Sequence, residues 1–341
     1  MPDLVVIGGG PAGLATALYA ARAGMAVTVR EPRPGVIDKA CGEGLMPGAV
    51  VALGELGISP VGHDLLGIRY VSAERRAEAT FRHGHGRGVL RTALHAAMRA
   101  AALAAGVEIE ARAVADLRQD AGTVIVDGDR TSWVVAADGL HSPTRRLLGL
   151  DLPAAGPRRF GLRRHYGLAP WSPFVEVHWS DRAEAYLTPV GPDLLGVAVL
   201  TGSRGGFDEH LAAFPALSAR LAAAEPVGTV RGAGPLRQRV RSRVAGRVLL
   251  VGDAAGYVDA LTGEGVALAL AQAKAAVAAI VSGDPSRYEH DWVSLTRRHR
   301  LLTHCLLGAA GIPALRRAVV PIAARAPAVF GAVVDALSRP L

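Results

Sequence analysis

Cysteine is scarce in this sequence, which holds only Cys41 and Cys305 among 341 residues. Two cysteines so far apart provide neither a disulfide framework nor a cysteine-rich metal cluster. The histidines His83 and His85 have no acid or cysteine beside them, so the pair indicates a solvated loop. We therefore expect no metal site.

Lysine and aromatic residues are also rare. Lys39 and Lys274 are the only lysines, and aromatic residues make up 5% of the chain. The net charge of +8 therefore comes from arginines, which are scattered and not interleaved with aromatic side chains. This pattern favours a solvated surface with local contacts to phosphate groups or to a membrane surface, and we expect no nucleic-acid partner.

The sequence also lacks a long uninterrupted apolar run. Glu264 and Lys274 interrupt one apolar stretch, and arginines and prolines interrupt the C-terminal one, so neither predicts a membrane-spanning helix. The first predicted strand begins at residue 3 and leaves no room for a signal peptide, so we expect a cytoplasmic protein. Half of the residues are apolar, and a chain of this length is expected to fold into two lobes.

The N-terminus carries a glycine pattern in a specific context. Residues 3–7 are typical of a strand buried in a parallel sheet, and G-x-G-x-x-G follows directly. These glycines allow a tight turn, close approach of a pyrophosphate, and packing of the next helix, which we predict over 14–23. A strand over 26–29 then leads to an acid that is expected to bind ribose hydroxyls. The predicted dinucleotide-binding residues are Gly8, Gly10, Pro11, Ala12, Gly13 and Glu31.

The remaining chain alternates between helical and strand patterns. Helices are predicted over 49–56, 89–106 and 264–281, a β-hairpin over 67–81, and short strands over 107–111, 123–126 and 133–136. Residues 158–200 alternate aromatic or β-branched with polar residues, which indicates an antiparallel sheet and a second lobe. Residues 247–256 return to a buried strand and turn, and the chain from 285 is predicted to be helical.

Two further motifs bear a family resemblance. The stretches "WVVAADGLHSPTRRLLG" (133–149) and "GRVLLVGDAAGYVDALTGEGVALALAQA" (246–273) resemble the DG and GD motifs of para-hydroxybenzoate hydroxylase-like flavoproteins. The resemblance implies FAD as the dinucleotide, with a helix N-terminus directed at the flavin edge. It adds these cofactor-binding residues: Arg91, Asp138, Gly139, Gly252, Asp253, Gly263, Glu264 and Gly265.

The resemblance also implies the fold class and its division. We expect an α/β protein with a Rossmann-like FAD-binding lobe, an antiparallel-sheet substrate lobe and a C-terminal helical segment. The FAD-binding domain is predicted to be discontinuous, over 1–65, 88–157 and 240–284. The substrate domain is predicted over 66–87 and 158–239, and the helical segment over 285–341.

The loop "DKACGEGLMPG" (38–48) resembles the K-x-C-G-E loop of geranylgeranyl-reductase-like proteins and of a set of bacterial FAD monooxygenases. The sequence favours an NAD(P)H- and O₂-dependent monooxygenase that hydroxylates an aromatic, quinone-like or polyketide-like small molecule. The alternative is an FAD-dependent reductase that saturates prenyl double bonds. A non-catalytic flavin- or lipid-binding protein is a third reading, and the intact motifs argue against it.

Three residues are candidates for catalysis, each with a structural alternative. His165 is either a substrate base or a strand histidine bonded to a neighbour, as His178 is expected to be. Cys41 is a thiol near the flavin, a buried small hydrophobe or a redox thiol, and together with Gly42 it is predicted to contact the cofactor. Glu43 either lies on the surface or bonds near the isoalloxazine.

The C-terminal stretch 315–337 is apolar with arginine ridges. It is interpreted as a lid over the substrate, as a peripheral membrane-surface patch, or as a terminal helix packed on the core. We expect a small apolar or aromatic substrate, NAD(P)H as reductant, and a monomer or homodimer.

Overall fold

The computed structural model describes residues 1–72, 75–120, 122–153 and 155–341. Its helices are α1 Pro11–Arg22, α2 Pro47–Glu55, α3 Arg91–Ala104, α4 Pro143–Leu147, α5 Phe207–Leu211, α6 Pro215–Leu221, α7 Gly265–Val281, α8 Ser286–Gly311, α9 Pro313–Arg325 and α10 Pro327–Ser338, with a 3-10 turn at Gly252–Ala255. Its strands are β1 Leu4–Ile7, β2 Val27–Arg30, β3 Gly44–Leu45, β4 His63–Leu65, β5 Gly67–Val71, β6 Arg76–Thr80, β7 Gly86–Gly88, β8 Glu108–Glu110, β9 Leu117–Asp120, β10 Thr123–Val126, β11 Asp129–Thr131, β12 Trp133–Ala136, β13 Asp151–Leu152, β14 Phe160–Gly167, β15 Phe174–Trp179, β16 Ala183–Gly191, β17 Leu194–Thr201, β18 Glu225–Ala233, β19 Arg239–Val240, β20 Val244–Ala245 and β21 Val248–Leu250.

A six-stranded sheet in the order β20-β21-β12-β1-β2-β8 forms the first layer. Its pairs are parallel except β20 with β21. The central strands are fully buried because helices cover the sheet, and α1 packs against both α3 and α7. The predicted Rossmann-like α/β lobe is confirmed.

A seven-stranded sheet in the order β18-β14-β17-β16-β15-β5-β6 forms the second layer. It is antiparallel except where β15 runs parallel to β5, with Phe174 opposite Gly67. The hairpin predicted over 67–81 is present as the β5–β6 pair. Ala73 and Glu74, which lie between these strands in the sequence, are outside the described residues.

Several predicted boundaries were off by a few residues. The helix predicted over 49–56 begins at Pro47, whose fixed backbone angle suits the first helical position. The helix predicted over 89–106 spans Arg91–Ala104, and the strand predicted over 107–111 is only Glu108–Glu110. Strands β9 and β11 were not predicted, because they are short and mostly exposed and polar.

The C-terminal helices pack on the seven-stranded sheet. α9 and α10 contact β6, and their buried residues Val320 and Phe330 join one apolar cluster with Val175 and Trp179 of β15. This contact confirms the interpretation of 315–337 as helices packed on the core.

The same segment leaves apolar side chains on its outer side. Ile322 is 55% exposed and Val329 is 62% exposed. Within the part of the chain that the structure describes, no single helix has the length and apolar composition to cross a membrane. The pair α8 and α9 meets both conditions only together, and it bends by 119° at its break.

Candidate active site

In the turn between β1 and α1, the first and last glycines of the motif, Gly8 and Gly13, are in close contact. Gly8 has φ +104°, and a Cβ on Gly13 would lie 1.8 Å from the Gly8 carbonyl oxygen, so only glycine fits at position 13. A Cβ on Gly10 would meet no protein atom within 4 Å. The N-terminus of α1 has no side-chain cap and no acid in its first turn, so its amides are available to an anion.

Glu31 follows β2 and faces this turn. Its carboxylate accepts hydrogen bonds from the Gly9 amide at 2.9 Å and from the Arg33 guanidinium at 2.7 Å. Burial opposes ionisation, but the bonds from Arg33 and Gly9 outweigh it and lower the pKa of Glu31. The carboxylate is therefore charged at neutral pH, which strengthens it as an acceptor for ribose hydroxyls.

Exchanging Glu31 for alanine is expected to weaken FAD binding by about 1–3 kcal/mol, because a charged acceptor is lost and the Gly9 amide is left unpaired. The FAD dissociation constant measures this. Glu55→Ala removes an acid that pairs with the exposed Lys274, so it is the matched control and should leave the constant unchanged. Equal constants for Glu31→Ala and wild type would show that Glu31 does not contribute to FAD binding.

His95 also holds the turn, although no role was predicted for it from the sequence. Its Nδ1 accepts from the Ile37 amide at 3.2 Å, so its Nε2–H donates to the Gly9 carbonyl at 2.9 Å. Burial lowers the pKa of His95, which is consistent with this neutral ring. It lies one helical turn after Arg91 on α3, and both side chains are buried.

Two charged side chains near the turn each have a buried polar atom without a partner in the part of the chain that the structure describes. Within the described residues, Arg91 Nη1 and Asp138 Oδ1 are buried and have no hydrogen-bond partner. Burial lowers the pKa of Arg91 and raises that of Asp253, whose charge is partly offset by Lys39 and Arg91. Cations beside a free helix N-terminus fit a ligand that carries a diphosphate.

The DG and GD motifs meet through Arg145, which the sequence did not single out. Its guanidinium is 1% exposed and donates to the carbonyls of Ala254 at 3.2 Å and Leu140 at 3.1 Å. It fixes the 3-10 turn against the DG loop, where Gly139 has φ +83°. Gly252, with φ +61°, comes so close to Ala12 that a Cβ there would lie 2.8 Å from the alanine's own Cβ.

The loop 38–44 is held by Glu43, which adopts φ +59° although it is not glycine. Its Oε1 accepts from the Arg91 amide at 2.9 Å, and its Oε2 lies 2.7 Å from His165 Nε2. The Gly42 carbonyl accepts from the Thr188 hydroxyl at 2.8 Å. Glu43 is 3% exposed, so the surface interpretation is wrong.

His165 has both ring nitrogens engaged. Its Nδ1 lies 3.1 Å from Nη1 of Arg163, and because arginine can only donate, this nitrogen accepts. Nε2 therefore carries the proton and donates to Glu43. The substrate-base role of His165 stays a prediction, but this geometry argues against it, because no nitrogen is free to take a proton.

Two other predicted residues have clear surroundings. His178 bonds Glu176 within its own strand at 3.2 Å, as expected for a strand histidine. Cys41 is half-buried, and its sulfur accepts from the Glu43 amide at 3.3 Å. Burial, together with the charge of Glu43, raises the pKa of Cys41, so it is a thiol at neutral pH.

The second loop, 259–265, leads into α7. Glu264 is 2% exposed, and its carboxylate lies 2.8 Å from Nδ1 of His299 on α8. The Glu264 side chain is thus hydrogen-bonded to a helix of the C-terminal segment. The N-terminus of α7 has neither a side-chain cap nor an acid in its first turn. A Cβ on Gly265 would meet nothing within 4 Å, so the backbone is open to a ligand here.

A buried chain of ion pairs anchors the same loop. Asp259 lies 2.9 Å from Arg159, which lies 2.6 Å from Glu184 of β16. Glu184 in turn lies 2.7 Å from Arg316 of α9. Tyr186 donates to the Leu261 carbonyl at 2.9 Å, so the sheet and the C-terminal helices both position this loop.

The predicted cofactor residues lie in one region of the structure, apart from the Glu264 side chain, which is directed to α8, and their contacts with the cofactor stay a prediction. A profile of the family described as "FAD binding domain" matches residues 2–180. The chain belongs to the FAD-binding domain family. It is an FAD-dependent oxidoreductase. The buried cationic side chains, the uncapped N-termini of α1 and α7, and the close backbone contacts at the motif glycines fit FAD.

Relatives of this flavoprotein include a menaquinone reductase of Mycolicibacterium smegmatis, 27% identical over 87% of this chain and 80% of the relative. A digeranylgeranylglycerophospholipid reductase of Methanosphaera stadtmanae is 28% identical over 87% of this chain and 83% of the relative. A solved triple mutant of a flavin-dependent brominase matches with a TM-score of 0.83 at 18% identity, over 99% of this chain and 94% of the other. This last likeness shows the fold alone.

Proposed function

We propose that this flavoprotein is a reductase that saturates carbon–carbon double bonds in an isoprenoid chain. The sequence favoured an NAD(P)H- and O₂-dependent monooxygenase and kept the reductase as the alternative. The names of the two sequence relatives, which match over most of their length, support the alternative. The monooxygenase becomes the competing outcome of the test below.

The observation that carries the proposal is the protonated thiol in the loop 38–44. Saturating a double bond requires a hydride at one carbon and a proton at the other. FAD, when bound and reduced, would supply the hydride. Cys41 holds a proton because its pKa is raised, and within the described residues its S–H has no acceptor. It therefore can serve as the acid that protonates the second carbon.

The apolar core next to this loop supports an isoprenoid substrate. One buried cluster extends from Met46 and Leu261, beside the two flavin loops, to Val320 and Phe330 of the C-terminal helices. The outer side of those helices carries the exposed Ile322 and Val329. These helices would contact the apolar chain of a substrate at a membrane surface and would direct that chain toward Cys41. NAD(P)H is the proposed source of electrons.

The decisive experiment is anaerobic turnover by the FAD-loaded protein after reduction with dithionite. Geranylgeranyl diphosphate and a menaquinone are supplied in separate reactions, and the masses of the products are measured by mass spectrometry. After any quinol is reoxidised to the quinone, we expect a product whose isoprenoid chain has gained two hydrogens for each saturated bond, without O₂. O₂ uptake that matches a product with one added oxygen, together with no anaerobic product, would instead establish the monooxygenase.

A further inference from the structure

A cavity of about 240 Å³ lies between the 3-10 turn, α7 and α8. It shares Gly252, Asp253 and Gly265 with the predicted cofactor residues, but its lining includes none of the glycine fingerprint, Glu31 or the loop 38–44. The proposed function assigns no task to this cavity.

The lining of the cavity is strongly basic. It contains Arg237, Arg239, Arg243 and Arg300, against Asp253 as its one acid among the described residues. Arg243 is paired with Glu289 at 2.7 Å, and Arg239 donates to a backbone carbonyl at 3.3 Å. No acidic partner is found for Arg237 or Arg300 in the described ranges. The guanidinium groups of Arg237 and Arg300 therefore line the cavity without an acidic partner in the part of the chain that the structure describes.

Trp292 holds two of these arginines side by side. The guanidinium carbons of Arg243 and Arg300 lie 3.8 Å and 5.3 Å from its ring centroid. The indole is 4% exposed, and its Nε1–H has no partner in the described structure. Burial and the charge of Arg243 together lower the pKa of Arg300, which is the sign of repulsion that an anion would relieve.

We propose that this cavity binds a phosphate or diphosphate group of a small anionic ligand. Guanidinium groups pair with phosphate oxygens through two parallel hydrogen bonds, and a buried N–H donor adds a further contact. The phosphate can come from a soluble nucleotide or from a lipid head group, because both present the same oxygens.

The test is a tryptophan-fluorescence titration of the FAD-loaded protein with inorganic pyrophosphate. We expect a saturable change that is lost in Trp292→Phe, and a dissociation constant at least about tenfold higher in Arg300→Gln and Arg237→Gln, or 1.4 kcal/mol. Arg297→Gln is the matched control, because Arg297 is exposed on the same helix and outside the cavity. FAD content and thermal stability are measured for every variant, so that misfolding is recognised.

Three results would overturn the proposal: no saturable binding, equal weakening in Arg297→Gln, or release of FAD by pyrophosphate, which would place the cavity in the cofactor site. Where pyrophosphate binds as expected, competition identifies the source. Displacement by NADPH assigns the site to a nucleotide, and displacement by dihexanoyl phosphatidylglycerol assigns it to a lipid head group. Displacement by neither assigns it to free phosphate compounds.

Discussion

Replacing Gly13 with alanine is expected to abolish FAD binding and to destabilise the fold at the same time. Wild-type protein should purify yellow and release FAD on denaturation. The new Cβ would lie 1.8 Å from the Gly8 carbonyl oxygen and 3.3 Å from the Ala137 side chain. Neither neighbour is the end of a flexible side chain, so α1 must move away from β1, and overpacking of this kind costs about 1–3 kcal/mol or more.

Two other glycines separate the cofactor effect from the fold. Gly10→Ala meets no protein atom and keeps an extended backbone, so it should fold normally and still lose FAD, because its Cβ enters the space of the pyrophosphate. Gly54→Ala, on the exposed side of α2, should retain FAD and gain about 0.5–1 kcal/mol of stability. Flavin absorbance per mole of protein and thermal unfolding report the two effects. A yellow Gly13→Ala protein would contradict the proposed packing.

Replacing Cys41 with serine is expected to lower anaerobic saturation of the prenyl substrate by about a hundredfold or more, the range for losing a general acid. A hydroxyl at this position is a much weaker acid than the thiol, although its size is similar. FAD affinity should change little, because the observed partner of the sulfur is the amide of Glu43. Product formation by the reduced protein, followed over a range of pH, is the measurement.

Cys305→Ser provides the matched control, since Cys305 is exposed on α8. It should turn over like wild type. Cys41→Ala should be as slow as Cys41→Ser. Wild-type rates of saturation in both Cys41 variants would exclude the thiol as the proton donor and assign that role to another group.

The sequence predicted the β1–α1–β2 unit well because everything that defines it is local. The turn glycines, the apolar strands and Glu31 all lie within thirty residues, and each has a fixed geometric task. The antiparallel sheet was also predicted, since its long strands alternate visibly. The strands β9 and β11 were missed because polar, solvent-facing strands show no apolar period.

The support of the site was less predictable, because it depends on contacts between distant segments. His95, Arg145 and His299 each form a hydrogen bond with a loop that lies far away in the sequence. Only their positions hinted at a role: His95 shares a helical face with Arg91, and Arg145 belongs to the DG motif. Nothing in the sequence connects His299 with Glu264, or His165 with Glu43.

The pairing of Glu264 with His299, and of Glu184 with Arg316, bears on how the protein can be divided. Both partners, His299 and Arg316, come after residue 285, where the helical segment was predicted to begin, and each reaches a buried acid that supports the loop at the start of α7. A fragment that ends at residue 284 would leave Glu264 without His299 and would leave Glu184 with Arg159 as its remaining ion-pair partner. FAD binding is therefore expected to depend on the C-terminal helices. A minimal FAD-binding fragment should retain α8 and α9.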